Sequence, residues 1–172
     1  LAGTSISSIE THFPDAPVIR AMPNTPASIG KGITAITGNK IATQAHLETA
    51  ISLLSPCGPV RVVENEALID AVTAISGSGP AYMFECLDAM INASKEMGVN
   101  KGEAELLVVQ TFKGALQLFQ QNSFTCQDWI EKVSSKGGTT EAAIKAFNQE
   151  DINKNIIEGA KAAWKRAVEL GN

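Results

Sequence analysis

Hydroxyls and glycines cluster at Ser134-Ser135-Lys136-Gly137-Gly138-Thr139-Thr140, immediately ahead of a stretch with helical spacing. Glycine permits a tight bend there. The first amides of a helix over Thr140 to Phe147 have no partner inside the helix and sit at its positive end. Such a row of donors suits a small carboxylate or phosphate. The same residues also make an ordinary turn with Thr139 as a helix cap, and the Gly-Gly-Thr-Thr run taken alone favours that plainer reading.

Other groups carry less chemistry. Ser76-Gly77-Ser78-Gly79-Pro80-Ala81 contains G-x-G ahead of a helix, but it follows a helix rather than a strand and lacks the third glycine of a dinucleotide fingerprint. It reads as a kinked junction, with Ser78 as cap, Pro80 in the first turn, and glycines that let another backbone approach. Glu66 and Asp70, with Glu64 nearby, stand four apart on a helix face and would repel unless solvated or facing an outside ligand, and a solvated face is the expectation. His12 and His46 fall in amphipathic surface helices, and no pattern ties either to a nucleophile. Trp129 and Trp164, at helical spacing among apolar neighbours, are expected to pack in the core.

Composition narrows the class. The 172 residues carry 14 Lys and Arg against 18 Asp and Glu, a formal charge of -4, with 44% hydrophobic residues. A core can be buried, and nucleic acid is disfavoured as main partner because phosphate neutralisation needs clustered basic residues. The most apolar long window, Ala71 to Ile91, contains Pro80, Glu85 and Asp88, which argues against a membrane span. Cys57, Cys86 and Cys126 are odd in number and widely spaced, without CxxC, which fits reduced thiols and a cytoplasmic setting, with neither a disulfide framework nor a metal site. The chain opens on Leu1 with no signal-peptide pattern, and is expected to start in mid-domain.

Two textures divide the chain. From Pro17 to Val63, short β-branched runs alternate with helical stretches: Val18 to Met22, Ile33 to Thr37 and Val60 to Val63 read as strands, and Thr43 as the cap of a helix over Ala45 to Leu54. Ser5 caps a short helix over Ile6 to Phe13. After Glu64, apolar residues recur at spacings of three and four through to Leu170. Helices are expected over Ala67 to Ile75, Ala81 to Met97, from an Asn100 cap through Phe119, over Asp128 to Val133, over Thr140 to Phe147, and from Asp151 to Leu170. The Ala81 to Met97 helix is apolar on most faces, which predicts either an intertwined dimer or a monomer whose missing N-terminal portion covers that surface.

Three segments in order, Arg20-Ala21-Met22-Pro23-Asn24-Thr25-Pro26, Asp70 through Tyr82, and Val133 through Thr140, closely resemble pyrroline-5-carboxylate reductase, and the resemblance extends over essentially the whole chain. It implies an α/β remnant of a Rossmann domain at 1–63, followed by an all-α dimerisation and substrate-binding domain at 64–172, mostly helical overall. It further implies an oxidoreductase of proline biosynthesis that reduces the cyclic imine 1-pyrroline-5-carboxylate to L-proline with NADPH or NADH, working as a homodimer or higher homo-oligomer. The glycine fingerprint for the nucleotide is absent, so these residues alone are expected to be inactive. By the same resemblance the substrate carboxylate meets Gly138, Thr139 and Thr140, with Ser135 beside them and Glu66 as an acidic neighbour. The Thr140 hydroxyl orients the ring nitrogen and is the expected catalytic group. Ala2, Gly3, Asn24 and Lys132 border the cofactor. Lys136 departs from the usual proline before the two glycines, and Lys132 from a frequent asparagine. A standalone helical interaction module, or a related imine or β-hydroxyacid reductase, are the alternatives.

Overall fold

The computed structural model describes residues 3–171, and the chain divides into two compact units, one formed by Leu1–Tyr82 with Ile157–Asn172 and the other by Met83–Ile156.

The first unit is built on a three-stranded mixed sheet. Strand β1 (Ile19–Met22) pairs antiparallel with β2 (Thr34–Gly38), from Ile19 opposite Gly38 to Met22 opposite Ala35. Strand β3 (Val60–Val62) runs parallel to β2, with Thr34 opposite Val60. A parallel pair needs a crossover, and helix α2 (Gln44–Leu54) supplies it. Thr34, Ala35, Ile36 and Thr37 are all buried, as befits a central strand covered on both faces. Between β1 and β2 a 3₁₀ turn over Thr25–Ile29 is closed by Gly30 at φ +68. The Gly32 amide then donates to the Cys57 carbonyl at 3.0 Å, and Gly58, at φ +130, has no room for a Cβ against the Gly32 backbone.

Helix α1 (Ile6–Glu10) is capped by Ser5, which accepts from the Ser8 amide at 3.2 Å. It ends earlier than its apolar spacing suggests. The Thr11 hydroxyl turns back to the Ser8 carbonyl, and Pro14 follows.

Helix α3 (Ala67–Val72) passes into a π-helical turn over Thr73–Gly77, and α4 (Gly79–Glu96) follows at once. The junction corrects the reading of Ser78 as a cap: its backbone is helical (φ -84, ψ -21) rather than extended. The wider turn disturbs the regular ladder, and side chains take over part of it. Tyr82 donates its hydroxyl to the Ala74 carbonyl at 3.0 Å, and Thr73 donates to the Ile69 carbonyl at 2.7 Å. Gly77 packs close to β1: a Cβ there would stand 2.9 Å from Cε of Met22, whose side chain would have to shift.

In the second unit α4 is followed by α5 (Lys101–Gln121), α6 (Cys126–Val133) and α7 (Thr139–Gln149), before α8 (Ile152–Gly171) returns to the first. Asn100 caps α5 by accepting from the Glu103 amide at 3.1 Å. Helix α6 begins two residues before the expected Asp128, since Thr125 and Asp128 cap it reciprocally: the Asp128 amide donates to Thr125 Oγ1 at 3.1 Å and the Thr125 amide to the Asp128 carboxylate at 2.7 Å. Asp151 takes a left-handed backbone (φ 52) between α7 and α8, a conformation that aspartate tolerates better than most residues.

Two core expectations resolve differently. Trp129 is half-buried, its ring 5.4 Å from Phe124 and edge-on to it, whereas Trp164 is 50% exposed. Trp164 instead lines an apolar groove with Ala71, Ala74, Ile75, Ile157 and Ala160. Along α4 and α5, Phe84, Leu106 and Leu107 are all more than half exposed, as is Met97 just after α4, and only Ala104 and Val108 of α5 are buried. Among the described residues no helix is long and apolar enough to cross a membrane.

Candidate functional site

The glycine loop and the start of α7 form one continuous piece. Gly137 has φ +73, and the Gly138 amide donates to the Ser135 carbonyl at 2.9 Å, closing a tight turn. A Cβ at Gly138 would press on the Ser135 hydroxyl, which would have to swing away, and would stand 3.0 Å from the Ser135 carbonyl oxygen. The residue that caps α7 is Gly138 (φ -84, ψ 173), one position earlier than Thr139, and it brings no side-chain cap. This corrects the assignment of Thr139 as cap and has a direct consequence. A capping oxygen would bond the second or third amide of the helix, and here none does. The helix ladder starts with the Ala142 amide donating to the Gly138 carbonyl at 3.2 Å. The amides of Thr139, Thr140 and Glu141 find no acceptor among the described residues.

Around these donors stand three hydroxyls, those of Ser135 and Thr139, which are exposed, and that of Thr140, which is half-buried. The structure thus gathers Ser135, Gly138, Thr139 and Thr140 on one loop and helix start. A shallow groove beside them is lined by Gly137, Gly138, Glu141, Lys145 and Asn148, and so lies on the Glu141 side of α7. Just upstream, the Ser134 hydroxyl and the Trp129 indole nitrogen are buried without a partner among the described residues.

The remaining candidates lie elsewhere on the chain. Lys132, on the last turn of α6, places its ammonium 4.2 Å above the centre of the Phe124 ring, a cation–π contact. Its neighbour Asp128 has a carboxyl held below the ordinary carboxylate range, first by the Thr125 hydroxyl, then by the Thr125 amide, with Lys132 adding a smaller attraction.

In the first unit, Asn24 accepts from the Ile33 amide at 2.9 Å and so braces the loop between β1 and β2. Gly3 sits at φ +80, where a Cβ would stand 2.6 Å from the Leu170 carbonyl oxygen, so only glycine fits. Ala2 lies outside the described residues.

Glu66 and Asp70 do not form a solvated acidic face. Arg20 projects from β1, 7% exposed, and donates to Glu66 Oε1 at 2.8 Å, while its second terminal nitrogen stands 3.4 Å from Asp70 Oδ1. Glu66 Oε1 also accepts from the Ile6 amide at 2.7 Å. One guanidinium thus removes the repulsion between two carboxylates four residues apart. In the sequence Arg20 stands only as part of a motif; its signal is a lone cation in the middle of an apolar strand, which has to find a carboxylate partner if that strand is buried.

In the first unit, Gly30 and Gly58 are backed by the Pro56 and Gly32 backbones and knit loops together.

Comparison with known proteins adds an independent line. Residues 66–170 match the family model described as pyrroline-5-carboxylate reductase dimerisation. The chain is 40% identical over 171 residues to the pyrroline-5-carboxylate reductase of Synechocystis, covering 99% of this chain and 64% of that protein. The solved pyrroline-5-carboxylate reductase of Coxiella burnetii superposes with a TM-score of 0.92 at 34% identity, over 99% of this chain and 64% of the other. The Plasmodium falciparum pyrroline carboxylate reductase, solved with NADP bound, shares the fold with a TM-score of 0.94 at 24% identity, over 99% of this chain and 69% of the other. The chain thus spans a little under two thirds of the length of the curated relatives it matches.

Proposed function

The chain belongs to the pyrroline-5-carboxylate reductase family, and we propose that it supplies the substrate-binding and dimerising part of an enzyme that reduces 1-pyrroline-5-carboxylate to L-proline with NADPH or NADH. The observation that carries this reading is the uncapped start of α7, whose Thr139, Thr140 and Glu141 amides stand free among the described residues.

The carboxylate of the five-membered ring accepts from the leading amides, where the helix dipole favours negative charge. Ser135 and Thr139 offer further hydroxyl donors. The Thr140 hydroxyl, half-buried one residue further on, hydrogen-bonds the ring nitrogen and fixes which face of the imine is presented. A proton held at that nitrogen makes the imine carbon electrophilic. The nicotinamide, when bound, supplies hydride to that carbon. The chain's own contribution is positioning, and no nucleophile is needed. Glu66 serves as an anchor within the first unit, since Arg20 and the Ile6 amide take up its Oε1.

Because the sequence carries no G-x-G-x-x-G fingerprint, we expect these residues to bind L-proline yet show no turnover of the imine with NADPH. Measurable turnover would remove the claim that a nucleotide fingerprint outside these residues is required. The binding claim is tested by titrating L-proline into ¹⁵N-labelled protein. Shifts at the Thr139 and Thr140 amides, weakened about three- to tenfold by Thr140→Val, are expected from the loss of one hydrogen bond. An unperturbed α7 start at millimolar proline would favour a helical interaction module without a ligand.

A further inference from the structure

Leaving the start of α7 uncapped has a cost that some other group must offset, because a helix without a side-chain cap loses stability and frays at its first turn. The structure contains one contact that answers the problem. Glu141, third residue of α7, turns its carboxylate backward and accepts from the Gly137 amide at 2.5 Å.

In an ordinary capping box the third residue bonds the amide of the cap itself, while the cap's own side chain covers an amide of the first turn. Here the reach extends one residue further back, to the position before the cap, and the covering half of the box is missing because Gly138 has no side chain. The result is a clamp from behind. The bond ties the left-handed Gly137 to the first turn, next to the Gly138 to Ser135 turn bond, and its negative charge lies at the favourable end of the helix dipole. None of the leading amides is consumed.

We propose that Glu141 is a positioning residue for the carboxylate site: it holds the glycine loop and the first turn of α7 in place without occupying the amides that meet the ligand. The proposal rests on the reading of α7 as the substrate-carboxylate site. Its chemical requirement is an acceptor on a side chain of this length, and glutamine meets that requirement where alanine does not.

The test compares Glu141→Ala and Glu141→Gln in the full 172-residue chain, with two readouts. The first is amide hydrogen exchange along α7, which needs no ligand. Glu141→Ala is expected to speed exchange at Ala142 and Ala143 about tenfold while leaving Ala146 and Phe147 near their original rates, and Glu141→Gln to restore most of the protection. The second is L-proline affinity from the amide titration, expected to fall at least threefold in Glu141→Ala and to stay within about twofold in Glu141→Gln. Unchanged exchange in Glu141→Ala would overturn the clamp. Lost affinity with unchanged exchange would overturn it as well, since Glu141 would then be touching the ligand. If the unaltered chain binds no proline, the site reading fails while the exchange arm still judges the clamp.

Discussion

Arg20 Nη1 lies 2.8 Å from Glu66 Oε1, and that same oxygen accepts from the Ile6 amide at 2.7 Å, so one carboxylate joins β1, the head of α3 and the first turn of α1. The guanidinium is 7% exposed, and its second nitrogen reaches toward Asp70. This cluster, in the first unit, is a structural joint. The second unit carries the glycine loop at Ser135–Gly138, to which the proposed substrate site is assigned.

Removing Arg20 should therefore be costly. Arg20→Met leaves two carboxylates facing each other across one helical turn with their shared cation gone, and breaking a buried pair in this way costs about 3–5 kcal/mol. Urea unfolding is expected to show a loss of that order. Arg20→Met combined with Glu66→Gln and Asp70→Asn should recover a substantial part of it. A change below about 1 kcal/mol for Arg20→Met would mean the cluster is not the joint described.

Gly138→Ala should disturb the loop without unfolding the unit. The new methyl collides with the Ser135 hydroxyl, which sits on a surface loop and can move, while the Ser135 backbone oxygen stays 3.0 Å away. The expected result is proline binding weakened about tenfold with melting temperature nearly unchanged, and partial recovery in the Gly138→Ala, Ser135→Gly double variant. Measuring the four proteins as a cycle isolates the collision from other effects.

Acid should loosen α6 through its cap. The Asp128 carboxyl is held below its ordinary value by the bonds from Thr125, so the folded form binds its proton less readily than the unfolded chain. The contribution is accordingly complete above the unfolded value near pH ~3.9 and disappears as pH falls through the lower folded value. The titration of the Asp128 carboxyl followed by NMR should move up toward the unfolded value in Thr125→Val, which removes the largest cause. No movement would sink the assignment.

Exposed Phe84, Leu106 and Leu107 call for a partner surface, and the family model matched by residues 66–170 is one of dimerisation. Light scattering coupled to size exclusion at micromolar concentration is expected to give a dimer. A charge placed in the exposed apolar face, such as Leu106→Glu, should shift the population toward monomer. A clean monomer for the unaltered chain would contradict the expected assembly.

Local rules carry much of the outcome. Ser5 and Asn100 cap because a hydroxyl or amide oxygen one residue before an apolar helical stretch finds the third amide on without help from the rest of the molecule. The strands over 18–22, 33–37 and 60–63 and the helical texture after Glu64 were legible for the same reason, since side-chain periodicity is set by local geometry. The glycine loop announced itself through residue types. Arg20 with Glu66 and Asp70 did not, because those partners are 46 and 50 residues apart and only strand pairing and helix docking bring them into reach. The cap of α7 was a local matter: the Gly138 amide closes a turn on the Ser135 carbonyl, and with no side chain on Gly138 the leading amides of the helix stay bare. Tertiary packing set the π turn at Thr73–Gly77 against Met22, where local reading saw a serine cap. Sequence determined which residues could bend, cap and donate. Long-range contact decided that Arg20, Glu66 and Asp70 are spent on one another rather than facing solvent.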